Sequence, residues 1–318
     1  MSPVGALVQI EDLAKHFPAG RGRVVHAVDG VALEVTRGET LGLVGESGCG
    51  KTTLGRLICR LAEPTRGRVV FDGVDAVGLR GGELRALRRR MQMIFQDPFA
   101  SLNPHKTVEQ IVGLPLWVRG ERSKAERRER VRELLGLVGL DPSQSRRFPH
   151  QFSGGQRQRI GIARALACEP ELVVADEPVA SLDVSIQAQI LEIMRQLQER
   201  LRLTSVFISH DISVVSHVSQ RIAVMYLGKV VEMGPGQAVI EGARHPYTRA
   251  LLAAVPRIGR AERGAQPLLS GDPPSAVEVP SGCRFHTRCY LRQAPECRRV
   301  EPELAATEGG HFAACHLA

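Results

Sequence analysis

The chain is organised by short apolar runs and by helical stripes. Leu41 to Val44 is a run without a polar side chain, the pattern of a strand buried on both faces in a parallel sheet. Just beyond it Leu54, Leu57, Ile58 and Leu61 recur at i, i+3, i+4 and i+7, which predicts one buried face of a helix. Leu172 to Ala175 repeats the buried-strand pattern, and a helix rich in Ile160, Ile162, Ala163 and Leu166 precedes it. Between these, Ser123 to Leu140 carries a capping-box spacing at Ser123 and Glu126, then an apolar stripe at Val131, Leu134, Leu135 and Val138. Its many charges read as the solvated face of that helix. Further on, Pro246 in His-Pro-Tyr-Thr suits the first turn of a helix. Buried strands followed by helices place the chain in the α/β class.

Composition narrows the setting. A chain of 318 residues buries a sizeable core and holds one large domain with an appendage, or two domains. With 43% apolar and 24% charged residues it reads as globular, and no segment approaches the roughly 18 to 20 apolar residues of a membrane span. The N-terminus has no basic region followed by a long apolar run, so a cytoplasmic location is expected. A net charge of +8 raises the question of nucleic acid. The basic residues are scattered, however, and no aromatics interleave with them, so no nucleic-acid partner is expected.

The first chemistry lies between the first strand and the first helix. Gly45-Glu46-Ser47-Gly48-Cys49-Gly50-Lys51-Thr52 has the spacing G-x-x-x-x-G-K-[ST], with Thr53 next. Glycines let the backbone curl its N–H groups toward phosphate oxygens, and the following helix offers its positive end to the same anion. Lys51 suits the β and γ phosphates, and the Thr52 hydroxyl suits Mg²⁺. A nucleoside triphosphate with Mg²⁺ is therefore the expected ligand. Cys49 sits near a helix N-terminus, which should favour its thiolate. A small side chain filling a variable position is the simpler reading of it.

The second strand ends in Asp176 and Glu177. Alone, such a pair marks a solvated turn. After a phosphate loop it suits Mg²⁺ held through its water shell by Asp176, and an attacking water polarised by Glu177. Ser153-Gly154-Gly155-Gln156 adds small residues with free amides at the start of a helix. In order the chain shows the phosphate loop, Ile94-Phe-Gln-Asp-Pro98, Ser153 to Gln156, Leu172 to Glu177, Ser181-Leu-Asp183 and Ile208-Ser-His-Asp211. This set, over roughly residues 8 to 235, strongly resembles the ATP-binding domain of ABC proteins.

The resemblance implies an ABC-type P-loop nucleotide-binding domain over residues 1–240, with a helical subdomain at roughly 97–167 that contacts membrane subunits near Asp97 to Val108. It implies head-to-tail pairing with a second ATP-binding subunit. Ser153, Gly154, Gly155 and Gln156 would then serve the partner's nucleotide, and Asp183 would lie at the interface. Gln96 would sense Mg²⁺ and the γ phosphate, and His210 would hydrogen-bond the γ phosphate. Phe17 stands where the family stacks an aromatic ring on adenine. With Lys51 and Glu177 these make a competent ATPase without a covalent intermediate.

Residues 241–318 extend that domain. Gly242 to Ile258 and the proline-rich stretch after it resemble the C-terminal extension of ATP-binding subunits in the oligopeptide/dipeptide importer branch, some of which import nickel. The N-terminal phrases look like the second ATPase subunit of such importers. That implies two transmembrane permease subunits, an extracytoplasmic solute-binding protein, and a place on the cytoplasmic face of the membrane. A nickel or other small-solute importer, and a soluble ABC ATPase with a metal-bearing scaffold role, are the alternatives.

Four of the seven cysteines, Cys283, Cys289, Cys297 and Cys315, fall in this extension. A cytoplasmic setting argues against disulfides. Five, seven and seventeen intervening residues lack the close pairs of common zinc sites, although His286, His311 and His316 offer nitrogen ligands. Four thiolates are the usual set for a [4Fe–4S] cluster, and some importers of the branch carry one here. The cluster is the expected group, with Zn²⁺ as the alternative, and its expected task is to fold a small irregular tail.

Overall fold

The computed structural model describes residues 5–20, 22–120, 123–180, 182–255, 269, 271–291 and 294–318. Ser181, the end of the Gly242 to Ile258 stretch, and parts of the proline-rich stretch after it lie outside them. The chain forms two compact units. One gathers residues 1–36, 40–77 and 208–318; the other holds 37–39 and 78–207. The extension after residue 240 is thus part of the first unit rather than a compact unit of its own, and the second unit is broader than the helical subdomain expected at 97–167.

The first unit has an antiparallel sheet in the order Val24–Thr36, Ala6–Pro18, Arg66–Phe71, Val74–Asp75. Its two long strands pair through several bulges, and Val8, Ile10, Leu13, Val31, Leu33, Val69 and Phe71 are buried. A second set of strands carries the site. Thr40–Val44 is buried at every position, as its apolar run requires, and lies parallel to Arg221–Tyr226. A hairpin leads on to Lys229–Pro235, to which the short strand Phe312–Ala313 pairs, followed by Ala305–Ala306. The end of the chain therefore extends the edge of the sheet that begins beside the phosphate loop.

Lys51–Ile58 forms the helix after that loop, with Leu54, Leu57 and Ile58 buried. Leu61 does not join them. Arg60 takes a positive φ of 51°, the helix stops, and Leu61 is 46% exposed. The turn is held by the Arg60 guanidinium, which is fully buried, donates to the carbonyls of Ala76 and Val77, and pairs with Glu63.

In the second unit Met91–Ile94 lies parallel to Leu172–Asp176, and Thr204–Ser209 follows on the other side of the latter. The helices Val108–Arg119, Lys124–Leu137 and Gly154–Leu166 pack together. Ser123 and Glu126 form the expected capping box, and the stripe Val131, Leu134, Leu135, Val138 is buried. Thr107 with Gln110 makes another. Among the described residues no helix is long and apolar enough to cross a membrane.

Candidate functional site

The phosphate loop leaves the strand Thr40–Val44 and ends at Gly50, the N-cap of Lys51–Ile58. Gly50 has φ +107°, and a Cβ there would stand 2.0 Å from the Ala27 carbonyl oxygen, so no other residue fits. Lys51 is 4% exposed, and its Nζ donates to the carbonyls of Gly45 at 2.7 Å and Glu46 at 2.9 Å. The lysine is thereby tethered to the loop it completes. Ser47 and Gly48 are exposed, while Thr52 and Thr53 are half-buried at the helix start. Cys49 departs from the sequence expectation. Burial pushes its thiol above the ordinary range, and neighbouring Lys51 offsets this only in part, so the thiolate is not favoured. Phe17 is 40% exposed on the strand Ala6–Pro18, with Lys15 Nζ 5.0 Å from its ring centroid. His210, at the end of Thr204–Ser209, is exposed.

In the second unit, Asp176 closes the strand Leu172–Asp176 with 2% exposure, and Glu177 follows with φ +44°. Non-glycine residues reach that region only when the surroundings hold them there. Gln96 Nε2 donates to Glu177 Oε2 at 3.0 Å, which brings two of the expected site residues together. Ser153 is the N-cap of Gly154–Leu166, accepting from the Gln156 amide, while the Gln156 side chain accepts from the Ser153 amide. A Cβ on Gly155 would meet Ile186 Cγ2 at 2.4 Å, so this glycine lets the helix approach Val184–Leu201. Asp183 caps the latter helix with its carbonyl and is exposed.

All four tail cysteines are free thiols, and all four line one small cavity of about 20 Å³ with His286, Phe285 and His316. The Cys283 amide donates to the Cys297 carbonyl at 2.8 Å, which draws the two segments together. Burial pushes the Cys283 thiol up to about 11, and the same cause raises Cys315. A cation in the cavity would be needed to hold them as thiolates. His311 does not line this cavity; its Nε2 lies 2.7 Å from Oε1 of the fully buried Glu232. Glu232 also accepts from the amides of Arg244 and His245. His245, pushed down to about 3 by burial, stays neutral and accepts from the Tyr247 amide.

Residues 28–180 match the family model described as ABC transporter, and residues 231–297 match that of the oligopeptide/dipeptide transporter C-terminal region. The chain is 49% identical over 321 residues to the oligopeptide transport ATP-binding protein AppF of Bacillus subtilis, covering 98% of this chain and 97% of that protein. It is also 49% identical over 309 residues to a putative peptide import ATP-binding protein of Brucella ovis, covering 97% of each. The chain belongs to the ABC transporter ATPases. A solved dimer of the ATP-binding cassette MJ0796, in a post-hydrolysis state with ADP and Pi, matches with TM-score 0.66 and 34% identity over 72% of this chain and 98% of that one. CbiO1 of Clostridium perfringens matches with TM-score 0.67 and 29% identity over 74% of this chain and 91% of its own.

Three residues that shape this ABC ATPase's loop are not evident from its motifs. Tyr247 Oη accepts from the Glu46 amide at 2.8 Å, Arg288 pairs with the Glu46 carboxylate, and Arg284 reaches the Leu227 carbonyl. The sole sequence signal is that an arginine stands on the inner side of each of Cys283 and Cys289.

Proposed function

We propose that this chain is the ATP-hydrolysing subunit of an importer that takes up peptides through partner permeases. The observation that carries the reading is the near full-length likeness to peptide-transport ATP-binding proteins, tail included, on a chain whose nucleotide motifs are all filled by competent residues. Residues 1–240 serve as the ATPase domain and 241–318 as its extension.

The residue roles follow from the chemistry of each side chain and the motif it fills. Amides of Gly45 to Thr53 cradle the phosphates, with Lys51 on the β and γ groups. Thr52 and the buried Asp176 suit Mg²⁺, Asp176 through water, and the ion when bound neutralises phosphate charge. Glu177 orients and polarises water, and Gln96 holds its carboxylate by the 3.0 Å hydrogen bond. His210 hydrogen-bonds the γ phosphate, and the exposed Phe17 stacks on adenine. Ser153 to Gln156, at the start of a 13-residue helix, serve the nucleotide of a second ATP-binding subunit, the Gly154 and Gly155 amides as donors, with Asp183 at that interface. Exposed Phe99, Leu114, Trp117 and Val118 in the second unit suit two permease subunits, which would hold the chain at the cytoplasmic face. A solute-binding protein outside the membrane completes the importer.

The four cysteines that line one cavity suit a group held by thiolates, for which we favour a [4Fe–4S] cluster, with Zn²⁺ as the alternative. When bound it would supply the covalent staple for the tail.

Glu177→Gln in the complex with both permeases tests the reading. ATP binding is expected to persist while turnover falls at least ~100-fold, the scale of losing a charge-positioning group. Turnover near that of the unaltered complex would sink it.

A further inference from the structure

The cysteine-bearing loop grips the phosphate loop at two points. Arg288, which precedes Cys289, donates from Nη1 to Glu46 Oε2 at 2.6 Å and from Nη2 to Oε1 at 3.0 Å. Nη1 also lies 3.4 Å from Tyr226 Oη. The guanidinium side chain is 6% exposed, so this fork-to-fork pair is shielded and fixes direction as well as distance. Arg284, which follows Cys283, donates from Nη1 to the Leu227 carbonyl at 2.6 Å and pairs through Nη2 with Asp29. The next residue, Gly228, donates its amide to the Cys49 carbonyl of the phosphate loop at 2.9 Å. Between the two arginines Phe285 is fully buried, its ring centroid 5.3 Å from that of Tyr226 and 5.4 Å from that of Tyr247. Tyr247 in turn accepts from the Glu46 amide.

A loop that binds anions with its own amides binds well only if those amides are already aimed. Ordering a free backbone costs conformational entropy, which would otherwise be taken from the binding energy. Glu46 is a carboxylate inside a phosphate-binding loop, where its charge alone opposes the ligand. Its two contacts with the tail give it a positive use.

We propose that the loop Cys283 to Cys289 is a brace on the phosphate loop, with Arg288 and Glu46 as positioning residues that hold Gly45 to Gly50 ready for nucleotide. The proposal rests on the reading of that loop as the nucleotide site. Its signature is a sign. If Glu46 and Arg288 act only as charges near the triphosphate, Glu46→Gln tightens ATP binding by removing repulsion, while Arg288→Met weakens it. A brace predicts that both weaken it.

The experiment measures the affinity of the full chain for a fluorescent ATP analogue with Mg²⁺, together with hydrogen exchange at the amides of residues 46 to 50. Each single variant is expected to bind about tenfold more weakly, ~1.4 kcal/mol, and to exchange those amides several-fold faster. The double variant should lose no more than either single, because both break one interaction. Arg288→Lys, which keeps the charge and loses the fork, should fall between wild type and Arg288→Met. Arg298→Met, an exposed arginine of the same tail, should bind as wild type does. Opposite signs for the two single variants, or full additivity, overturn the brace. Should Arg288→Met not fold, the sign for Glu46→Gln alone decides. A wild-type chain that binds no ATP, or Lys51→Ala that binds as well as wild type, would instead overturn the nucleotide reading.

Discussion

Cys49 shows two local effects in opposition. It precedes a helix whose positive end favours a thiolate, yet it is 5% exposed and burial prevails, raising its thiol. Its Sγ is 3.9 Å from Lys51 Nζ, too weak a contact to anchor the lysine, which already donates to two carbonyls. At pH 7 iodoacetamide should therefore leave Cys49 unmodified in the folded chain, and Cys49→Ala should keep ATP affinity within about twofold. Peptide mapping by mass after alkylation checks the first and a binding titration the second. Rapid labelling at neutral pH would mean that the helix end prevails over desolvation. Glu177 is the contrasting case, a carboxylate whose left-handed backbone and Gln96 partner aim it at one place. Its identity is legible from two adjacent letters at a strand end. Its aim is a property of the turn, and no letter encodes it.

At the scale of elements, the helix Gly154–Leu166 combines two requirements at one end. Ser153 and Gln156 satisfy its first amides, and Gly155 permits contact with Ile186. Gly155→Ala forces a methyl within 2.4 Å of Ile186 Cγ2 and is expected to destabilise the chain by about 1–3 kcal/mol. Ile186→Ala in the same chain should restore much of the loss, and urea unfolding of the single and double variants reads it. A Gly155→Ala chain as stable as wild type would show that the two helices separate at no cost. The strands Thr40–Val44 and Leu172–Asp176 and the helix Lys124–Leu137 were legible because their signals are local: unbroken apolar runs, a capping box and a 3.6-residue stripe. Leu61 shows the limit of that method. Its spacing continues the stripe, but the buried hydrogen bonds of Arg60 to Ala76 and Val77 turn the chain first, and they depend on residues far along the sequence. Tyr247 and Arg288 reach Glu46 across still longer separations, so no periodicity marks them.

For the chain as a whole, the weakest part by its own core is the tail. Among its described residues after 270 the regular strands are two residues each, and its fully buried apolar side chains amount to Phe285 with Ala313 and Ala314 at the sheet edge. Its other anchors are polar: Arg284 on Asp29, Arg288 on Glu46 and His311 on Glu232. So little apolar burial does not offset the ordering of a segment this size, and the proposed staple through the four cysteines would close the gap. Chelating the metal from the purified chain, or substituting Cys297→Ser, is accordingly expected to abolish absorbance near 400 nm. Hydrogen exchange should rise several-fold across residues 283 to 291 and leave the helix Val108–Arg119 in the second unit unchanged. Because Arg284 and Arg288 lie inside that loop, the amides of residues 46 to 50 should speed up as well, and ATP affinity should fall toward that of Glu46→Gln. Stoichiometric zinc without iron would replace the cluster by zinc and leave the staple standing. A stripped chain whose tail exchanges as slowly as before would remove the staple itself, since the polar anchors would then suffice to fold it.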